Sequence, residues 1–496
     1  MRPRSLAPPL APLAPCALSL SLSLAACAPP PAPVTPRLAP DALGPRAERW
    51  TAFLREYLRI DTTVPPGNEA RAVPLLRAAL GELGLSAETA TLAEGRANLW
   101  ATLAAPRPDP GARPLILLHH IDVVPVEAER WSVPAFEGAV KEGRLYGRGA
   151  IDTKVLAALH LAAMERLGAA AERLRRDVIF LAVADEEVGG AGAQHFVAHQ
   201  LDRFRPEYLL DEGGFALESF TNERDVVVIA NTQKRAAKLR LVAQGEAGHG
   251  SRPIPNGGPS LLAEALARLG DQPMPLRISP AARAPIAAIA GLRPFPESFL
   301  LAHLDWPGFL AALSGKLSAN KNLSPMLRDT IAVTVLRGGE KDNVIPSRAS
   351  AVLDVRLLPD TRFEDFLAAL RATLGDLPIE IEVLSAPGPE LPVAPTADPL
   401  FQALEASVRA HAPSAAVSPW LLVGANDSRF FVPRGVKCYG FNPVFIDKAQ
   451  LDGIHGHDEN IALVELDRGM RIYAEALERF LLREDPGAHR APVPGF

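Results

Sequence analysis

Three short apolar runs, each followed at once by acidic or imidazole side chains, most constrain the fold of this chain. They occur in "RPLILLHHID", "DVIFLAVADEE" and "PEYLLDEGG", and the segment "DTKVLAALHLAAMERLG" between the first two has helical spacing. Apolar strands that alternate with helices predict an α/β domain. In such sheets ligands bind at the carboxyl ends of the strands, which is where these polar side chains lie.

The pattern of apolar and polar residues changes after residue 233. Residues 234–388 predict the order βαββαβ, which is typical of a ferredoxin-like α+β domain. At 496 residues the chain is also too long for one ordinary domain. We therefore predict a mixed-sheet α/β domain in two parts, 46–233 and 389–484, interrupted by 234–388 and followed by a tail, 485–496. The proline-rich segment 274–327 gives no clear pattern.

The N-terminus has the features of an export signal. Arg2 and Arg4 precede an apolar segment that ends in "LAAC" at Cys27, which predicts a signal peptide over 1–26. "LAAC" is similar to the cleavage motif of bacterial lipoproteins, so we expect a lipid on Cys27 and a proline-rich tether over 27–45. This would anchor the protein in the cell envelope; an ordinary signal peptide cleaved nearby is the alternative.

Charge and cysteine content exclude other classes. The net charge of -5 argues against nucleic acid as a partner, which usually requires a basic surface. Only Cys16, Cys27 and Cys438 are present, so no disulfide framework is possible.

His120 and Asp122 form the first of five polar clusters. Residues two apart on a strand face the same way, so the Asp122 carboxylate could orient the His120 imidazole, as behind a metal-bound histidine. His119 faces the opposite way and is expected to be a packed histidine. The other clusters are Asp152 in "GRGAIDTK", Asp185–Glu187 in "ADEEVGG", Asp211 and Glu212 in "LLDEGG", and His455–Glu459 in "IHGHDE".

Each of these clusters has an ordinary explanation alone, such as a helix-capping aspartate or a solvated acidic turn. Together they supply histidines and carboxylates at the strand ends of one domain. That mixture of nitrogen and oxygen ligands suits zinc, with cobalt or manganese possible. The carboxylates outnumber the needs of one tetrahedral ion, which indicates two ions that share a bridging carboxylate.

The motifs "DVVPV", "LYGRGAIDTK", "DEEVGG", "DEGG", "GGEKDNVIP" and "IHGHDE" resemble those of a family of co-catalytic zinc peptidases. That family includes aminoacylase, carboxypeptidase G, acetylornithine deacetylase and succinyl-diaminopimelate desuccinylase. The chain is most similar to its carboxypeptidase S and N-fatty-acyl-amino-acid hydrolase branch, from about residue 46 to 482. The resemblance implies Asp122 behind His120 and Glu186 as general base. The implied metal ligands are His120, Asp152 (bridging), Glu187, His455 and either Glu212 or Asp211.

The resemblance also assigns residues outside the metal site. His249 in "GEAGHGSRP" would enter the active site of a partner subunit and stabilise the oxyanion, which implies a homodimer formed through the inserted lid domain. The implied substrate contacts are Asn343, Arg356, Asp427 and Arg429. "GANDSRFF" has Asn426 where relatives have threonine, which puts that contact in doubt.

The expected activity is metal-assisted hydrolysis of the amide bond in dipeptides or N-acyl amino acids with a free carboxylate. The main alternative is a hydrolase or synthase of N-fatty-acyl amino acids, or a small-acyl deacylase. A membrane-tethered binding protein with an inactive site, or a purely structural lipoprotein, are the non-enzymatic alternatives.

Overall fold

A computed structural model describes residues 44–221 and 224–484. The predicted signal peptide, Cys27 and the tail 485–496 lie outside the described residues, as does nearly all of the predicted tether. Within the part that is described, no helix has the length and apolar content needed to span a membrane.

The described helices and strands follow one another along the chain in a mixed order. The helices are α1 (Pro45–Leu58), α2 (Val73–Glu82), α3 (Lys154–Ala169), α4 (Ala191–His199), α5 (Leu201–Phe204), α6 (Gly258–Asp271), α7 (Pro280–Gly291), α8 (Glu297–Ala302), α9 (Phe309–Ala319), α10 (Ser324–Leu327), α11 (Phe363–Leu374), α12 (Pro399–His411), α13 (Ser428–Phe431), α14 (Lys448–Gly453) and α15 (Leu463–Leu481). The strands are β1 (Ala87–Ala93), β2 (Arg96–Leu103), β3 (Leu115–His120), β4 (Val140–Lys141), β5 (Arg144–Tyr146), β6 (Val178–Val183), β7 (Tyr208–Asp211), β8 (Phe215–Thr221), β9 (Arg224–Gln233), β10 (Arg235–Gln244), β11 (Gly248–His249), β12 (Thr330–Gly338), β13 (Val344–Ile345), β14 (Arg348–Leu357), β15 (Ile379–Ser385), β16 (Ala416–Leu422), β17 (Lys437–Gly440), β18 (Phe445–Ile446) and β19 (Asn460–Ala462).

A mixed sheet of ten strands forms the centre of the larger domain. Its order is β1-β2-β6-β3-β7-β17-β9-β8-β18, with β16 paired to β9. β3 lies between β6 and β7 and is parallel to both, and β17 is parallel to β7. The carboxyl ends of these strands therefore meet at one edge of the sheet. The mixed α/β fold predicted from the sequence is confirmed.

Every residue of β3 and β6 is buried because helices cover both faces of the sheet. On one face α1, α3, α12 and α15 enclose the largest apolar core. On the other face α4, α5 and α13 pack through Phe196, Leu201 and Phe431. The apolar sequences of β3 and β6 thus follow from burial on two sides rather than one.

A separate four-stranded antiparallel sheet, in the order β12-β14-β10-β15, is formed by residues of the predicted inserted domain. α6 and α11 contribute Leu262, Phe366 and Leu370 to the core that covers one face. Buried and less buried residues alternate along β14, as expected when only one face of a sheet is covered. A role as lid and dimerisation domain stays a prediction.

Residues 274–327, which show no clear pattern in the sequence, contain the short helices α7 to α10. Two of them, α7 and α10, have proline at the first or second position, and α7 also has Pro285 inside it. Ala282, Ile286 and Leu304 belong to a small separate core. The helical period of apolar residues is not visible in this sequence, because prolines interrupt it and each helix is too short for the period to recur.

We predict that Gly440→Ala lowers the free energy of unfolding by about 1–3 kcal/mol, a typical cost of overpacking. A Cβ at Gly440 would lie 2.1 Å from the carbonyl oxygen of Glu212, so β7 and β17 would have to separate. Gly168→Ala in α3 is the control, since its added Cβ meets nothing within 4 Å. Denaturant unfolding measures both, and equal stabilities for the two variants would contradict the close strand packing.

Candidate active site

Residues from distant parts of the chain meet at the carboxyl ends of β3, β6 and β7. His120 is the last residue of β3, Glu187 lies in the turn after β6, and Glu212 follows β7 directly. Asp152 lies two residues before α3, and His455 follows α14. Parallel neighbours bring the first three together, and the short ladder of β5 with β19 brings in the others.

Two groups of potential ligands share Asp152. One group is His120, Asp152 and Glu212, and the other is Asp152, Glu187 and His455, with one ligand atom per residue and all within 4.8 Å of one another in each group. His120 Nε2 lies 2.9 Å from Asp152 Oδ1, and His455 Nε2 lies 3.2 Å from Asp152 Oδ2. Each oxygen of Asp152 thus faces a different histidine, an arrangement that suits a carboxylate between two cations.

Negative charge exceeds positive charge in this cluster. Burial and the charge of Asp152 raise the pKa of Glu212 well above its ordinary value. The Asp152 and Glu187 carboxylates, which accept hydrogen bonds from the imidazole, raise the pKa of His455 to about 10. Glu187 Oε1 is buried and has no hydrogen-bond partner. Such crowded, partly unsatisfied carboxylates favour cations at the centre of the cluster, so the residues present fit a metal site.

Asp122 acts differently from the prediction. His120 Nδ1 lies 2.9 Å from the backbone oxygen of Asp122, while the nearer carboxylate oxygen is 3.7 Å away. The carboxylate instead accepts the backbone N–H groups of Glu186 (3.1 Å) and Glu187 (3.0 Å). β3 ends at His120, so strand alternation no longer sets the direction of the Asp122 side chain. Asp122 therefore orients both the imidazole and the turn that carries the two glutamates.

The sequence left Asp211 and Glu212 as alternatives, and the structure separates them. Asp211 Oδ1 accepts the N–H of Glu212 (2.9 Å) and Oδ2 accepts the N–H of Ser428 (3.0 Å). Burial raises the pKa of Asp211 to about 7. Glu212 belongs to the ligand cluster, whereas Asp211 joins the loop before α13 to the end of β7. The alternative ligand Asp211 is thus not supported by the geometry.

Glu459 has a structural role that sequence reasoning missed. Its buried carboxylate accepts the N–H groups of Ile151 (2.7 Å), Asp152 (3.0 Å) and Gly149 (3.1 Å), and a guanidinium hydrogen bond from Arg148 (2.8 Å). These contacts fix the loop that presents Asp152. The acid that ends "IHGHDE" and the arginine in "GRG" were the available signals, but no local spacing links residues more than 300 positions apart.

Glu186 lies beside a second charged group from the returning part of the chain. Its Oε1 accepts a hydrogen bond from Arg429 (3.2 Å), whose guanidinium also lies 3.7 Å from Asp427. Burial raises the pKa of Glu186, and the neighbouring Glu187 contributes. The Asp427 carboxylate is fully buried, and neither of its oxygens has a hydrogen-bond partner.

Asn426, which replaces a threonine of the resemblance, has its side chain occupied by the protein. Its side-chain oxygen accepts from Gln233 (2.7 Å), and its amide nitrogen donates to the backbone oxygen of Glu212 (2.8 Å). The residue holds the loop that carries Arg429 against the end of β7. These contacts show how the asparagine is accommodated at this position.

The predicted contacts of the inserted domain lie outside the two ligand groups. His249 is exposed on β11, where its Nδ1 accepts from the Ser251 hydroxyl (2.8 Å), and β11 pairs with β13 next to the exposed Asn343. Arg356 forms an ion pair with Asp354 on the same strand (2.7 Å). His249 and Asn343 are therefore neighbours, whereas Arg356 is already paired. His119 is buried against Phe180, as a packed histidine should be.

Sequence comparisons agree with this geometry. The model of peptidase family M20/M25/M40 matches residues 116–479. The human N-fatty-acyl-amino acid synthase/hydrolase PM20D1 is 31% identical over 388 residues, which covers 77% of this chain and 77% of that protein. Human aminoacylase-1 is 29% identical over 441 residues, 88% of this chain and 96% of the relative.

Solved structures show the same fold. A metallo-carboxypeptidase of the M20 family from Sulfolobus solfataricus, Sso-CP2, superposes with a TM-score of 0.66 at 19% identity, covering 88% of this chain and 99% of its own. A dinuclear metal-binding peptidase of that family from Bacillus subtilis gives 0.54 at 13% identity, with coverages of 87% and 97%. The ligand cluster, the matched family model and the sequence relatives agree that this chain belongs to peptidase family M20/M25/M40, a family of metal-dependent hydrolases.

Proposed function

We propose that the protein is a two-zinc hydrolase that cleaves the amide bond of N-acyl amino acids or dipeptides with a free carboxylate. The observation that carries this proposal is Asp152, which faces a separate histidine with each oxygen and has a further carboxylate in each group. The named activities of PM20D1 and aminoacylase-1 support amide-bond chemistry at an acylated amino acid.

The proposed ligands divide into two sets around Asp152. His120 and Glu212 would hold one ion, and Glu187 and His455 the other. Histidine nitrogen with carboxylate oxygen suits zinc, and cobalt or manganese would fit the same donors. Bound ions would supply Lewis acidity toward the amide carbonyl and lower the pKa of bound water.

Glu186 is the proposed general base. It is adjacent to the ligand Glu187, and Asp122 fixes the backbone of both residues. Its raised pKa, caused first by burial, suits a carboxylate that must accept a proton from the attacking water and return it to the leaving amine. Arg429 binds one oxygen of Glu186, which leaves the other oxygen available for the proton.

Arg429 is the best candidate among the described residues for binding the substrate carboxylate. Its side chain is 25% exposed and lies next to Glu186, so a carboxylate bound there would lie near the reacting groups. Arginine binds carboxylates through paired hydrogen bonds. Arg356, the other predicted anchor, pairs with Asp354 on its own strand and has no contact with Glu186 like that of Arg429.

A homodimer through the inserted domain is part of the proposal, because His249 would then complete the site of the partner subunit. β12 lies at one edge of the four-stranded sheet, and its Val333, Val335 and Leu336 are 46%, 40% and 63% exposed. Native proteins seldom leave a long apolar edge strand uncovered. Pairing of two β12 strands would join the sheets of two subunits.

A long-chain variant of this function is favoured by the 31% identity to PM20D1. An N-fatty-acyl amino acid has the same scissile amide bond and free carboxylate as a short-chain N-acyl amino acid, and only the acyl group differs. Rates on dipeptides, N-acetyl amino acids and N-oleoyl amino acids therefore separate the candidate functions.

We predict that Glu186→Gln retains two metal ions per chain but loses at least about 100-fold in kcat on the best of these substrates, because the proton acceptor is removed. Metal analysis of the purified protein and initial rates measure the two effects. Glu82→Gln, which alters an exposed glutamate paired with Arg49, should change neither. Retained turnover in Glu186→Gln would refute the assigned base, and a wild-type protein without stoichiometric metal would refute the function.

We predict that Glu459→Gln weakens metal binding about 10- to 100-fold, the usual effect of losing a residue that orients a ligand. The change should also cost about 3–5 kcal/mol of unfolding free energy, because Arg148 remains buried without its counter-charge. Competition with a zinc chelator and denaturant unfolding give the two values. Glu82→Gln should cost at most about 1 kcal/mol, as for other exposed ion pairs; a similar loss in both variants would remove Glu459 from this role.

We predict that the wild type sediments as a dimer and that Leu336→Asp shifts it to a monomer with reduced activity, because charges would face each other across the β12 edge. Val383→Asp on β15, the opposite edge, is the matched control, since Val383 is 47% exposed. Analytical ultracentrifugation and hydrolysis rates give the outcome. A Val383→Asp monomer with an intact Leu336→Asp dimer would place the interface on the other edge.

A further inference from the structure

The helical segment of the inserted domain exposes aromatic side chains. Phe295, Phe299 and Trp306 are 80%, 40% and 48% exposed, and Phe309 at the start of α9 is partly buried. We call these four residues the aromatic tip. Single exposed apolar residues are common on proteins, but several large aromatic residues close together indicate a surface that binds something.

Ring contacts join most of the tip into one surface. The ring centroids of Phe299 and His303 are 4.3 Å apart, those of His303 and Trp306 are 4.3 Å apart, and those of Trp306 and Phe309 are 5.5 Å apart. The apolar core of the helical segment is formed by other residues, including Ala282, Ile286 and Leu304. The four aromatic side chains belong neither to that core nor to the partly buried residues packed against it.

The charges near the tip favour a negatively charged partner. The two acids between residues 280 and 323 are each near an arginine, with Asp305 3.4 Å from Arg283 and Glu297 4.0 Å from Arg293. Two further cations on the same stretch, Lys316 and Lys321, are exposed and have no acid of the segment to balance them.

Lys316 is placed to act together with the tip. It lies seven residues after Phe309 on α9, so both side chains leave the same face of the helix, about 10 Å apart along its axis. A lysine at that distance can extend toward a charged surface while its methylene groups cover apolar atoms.

We propose that the aromatic tip inserts into the interface of an anionic lipid bilayer, with Lys316 and Lys321 contacting lipid phosphates. Tryptophan and phenylalanine prefer the membrane interface, and nearby lysines add attraction to anionic headgroups. A second copy of the chain is a poorer occupant, since its own excess lysines would face these across the contact. The predicted lipid on Cys27 would place the protein at the same surface, and the two weak attachments together would bind more stably than either alone.

The experiment measures partition onto vesicles and does not depend on catalysis. The full chain carrying Cys27→Ser is mixed with vesicles of phosphatidylcholine, with or without phosphatidylglycerol, and bound protein is sedimented. Phe295→Ser/Trp306→Ser should lower the partition coefficient on anionic vesicles about 10- to 100-fold. Val140→Ser/Val383→Ser, which alters residues 44% and 47% exposed on other surfaces, is the control and should bind as the parent does. The N-terminal segment is common to all variants, so differences between them report the tip.

Lysine variants and salt test the electrostatic part. Lys316→Gln/Lys321→Gln should reduce binding to the anionic vesicles, about fivefold per lysine, and leave binding to neutral vesicles unchanged. Trp306→Phe should keep most of the binding but lose a blue shift of tryptophan emission that the parent shows on adding vesicles. Thermal unfolding checks that each variant is folded.

Three results would overturn the proposal. The first is equal partition of Phe295→Ser/Trp306→Ser, the tip variant, and its control Val140→Ser/Val383→Ser. The second is a tip variant that changes the oligomeric state but not vesicle binding, which would make the tip a contact between copies of the chain. The third is a tip variant that raises KM for a long-chain N-acyl amino acid with unchanged vesicle binding, which would make the tip an acyl-binding surface. Under the proposal, the tip variant hydrolyses an N-acetyl amino acid at the same rate as the parent.

Discussion

The site depends on holding several carboxylates close together in a buried place. Asp152, Glu187 and Glu212 would repel one another if all were ionised, and burial raises the cost of their charge. The protein restrains them with backbone donors and buried partners: Glu459 holds the loop of Asp152, and Asp122 holds the turn of Glu187. This arrangement is unfavourable by itself and becomes favourable when cations are bound, which is why the geometry indicates a metal-dependent hydrolase.

The topology explains why the contributors are so far apart in sequence. Parallel strands β3, β6 and β7 bring three turns to one edge of the sheet, and the inserted domain then separates them from the residues that complete the site. The returning chain adds β17 beside β7, the α13 loop with Arg429, and the β19 ladder that places Glu459 under Asp152. The proposed metal ligands come from both sides of the predicted insertion, so neither side could form the cluster alone.

Much of this site could be predicted from the sequence, because strand-end polar residues follow a local rule. The ends of β3 and β7 drew attention to His120 and to the pair Asp211 and Glu212, between which the sequence did not decide. The failures have physical causes: Asp122 lies beyond the strand, where alternation no longer applies, and Glu459 acts through backbone groups of a loop that sequence spacing cannot locate. The helices of 274–327 were missed because prolines and short lengths remove the helical period.

The segment 274–327 is also connected to the site through the packing at its base. Buried Lys234 donates to the backbone oxygens of Pro325 (3.1 Å) and Arg328 (3.0 Å), while its neighbour Gln233 holds Asn426. α7 packs against β16 through Ala281 and Leu421, and β16 leads into the loop before α13, the helix that carries Arg429. Buried contacts therefore join the segment that carries the aromatic tip to the strand that precedes Arg429, the residue proposed to bind the substrate carboxylate. Under the two proposals, the helices that attach the protein to the membrane also pack against the region that binds the substrate.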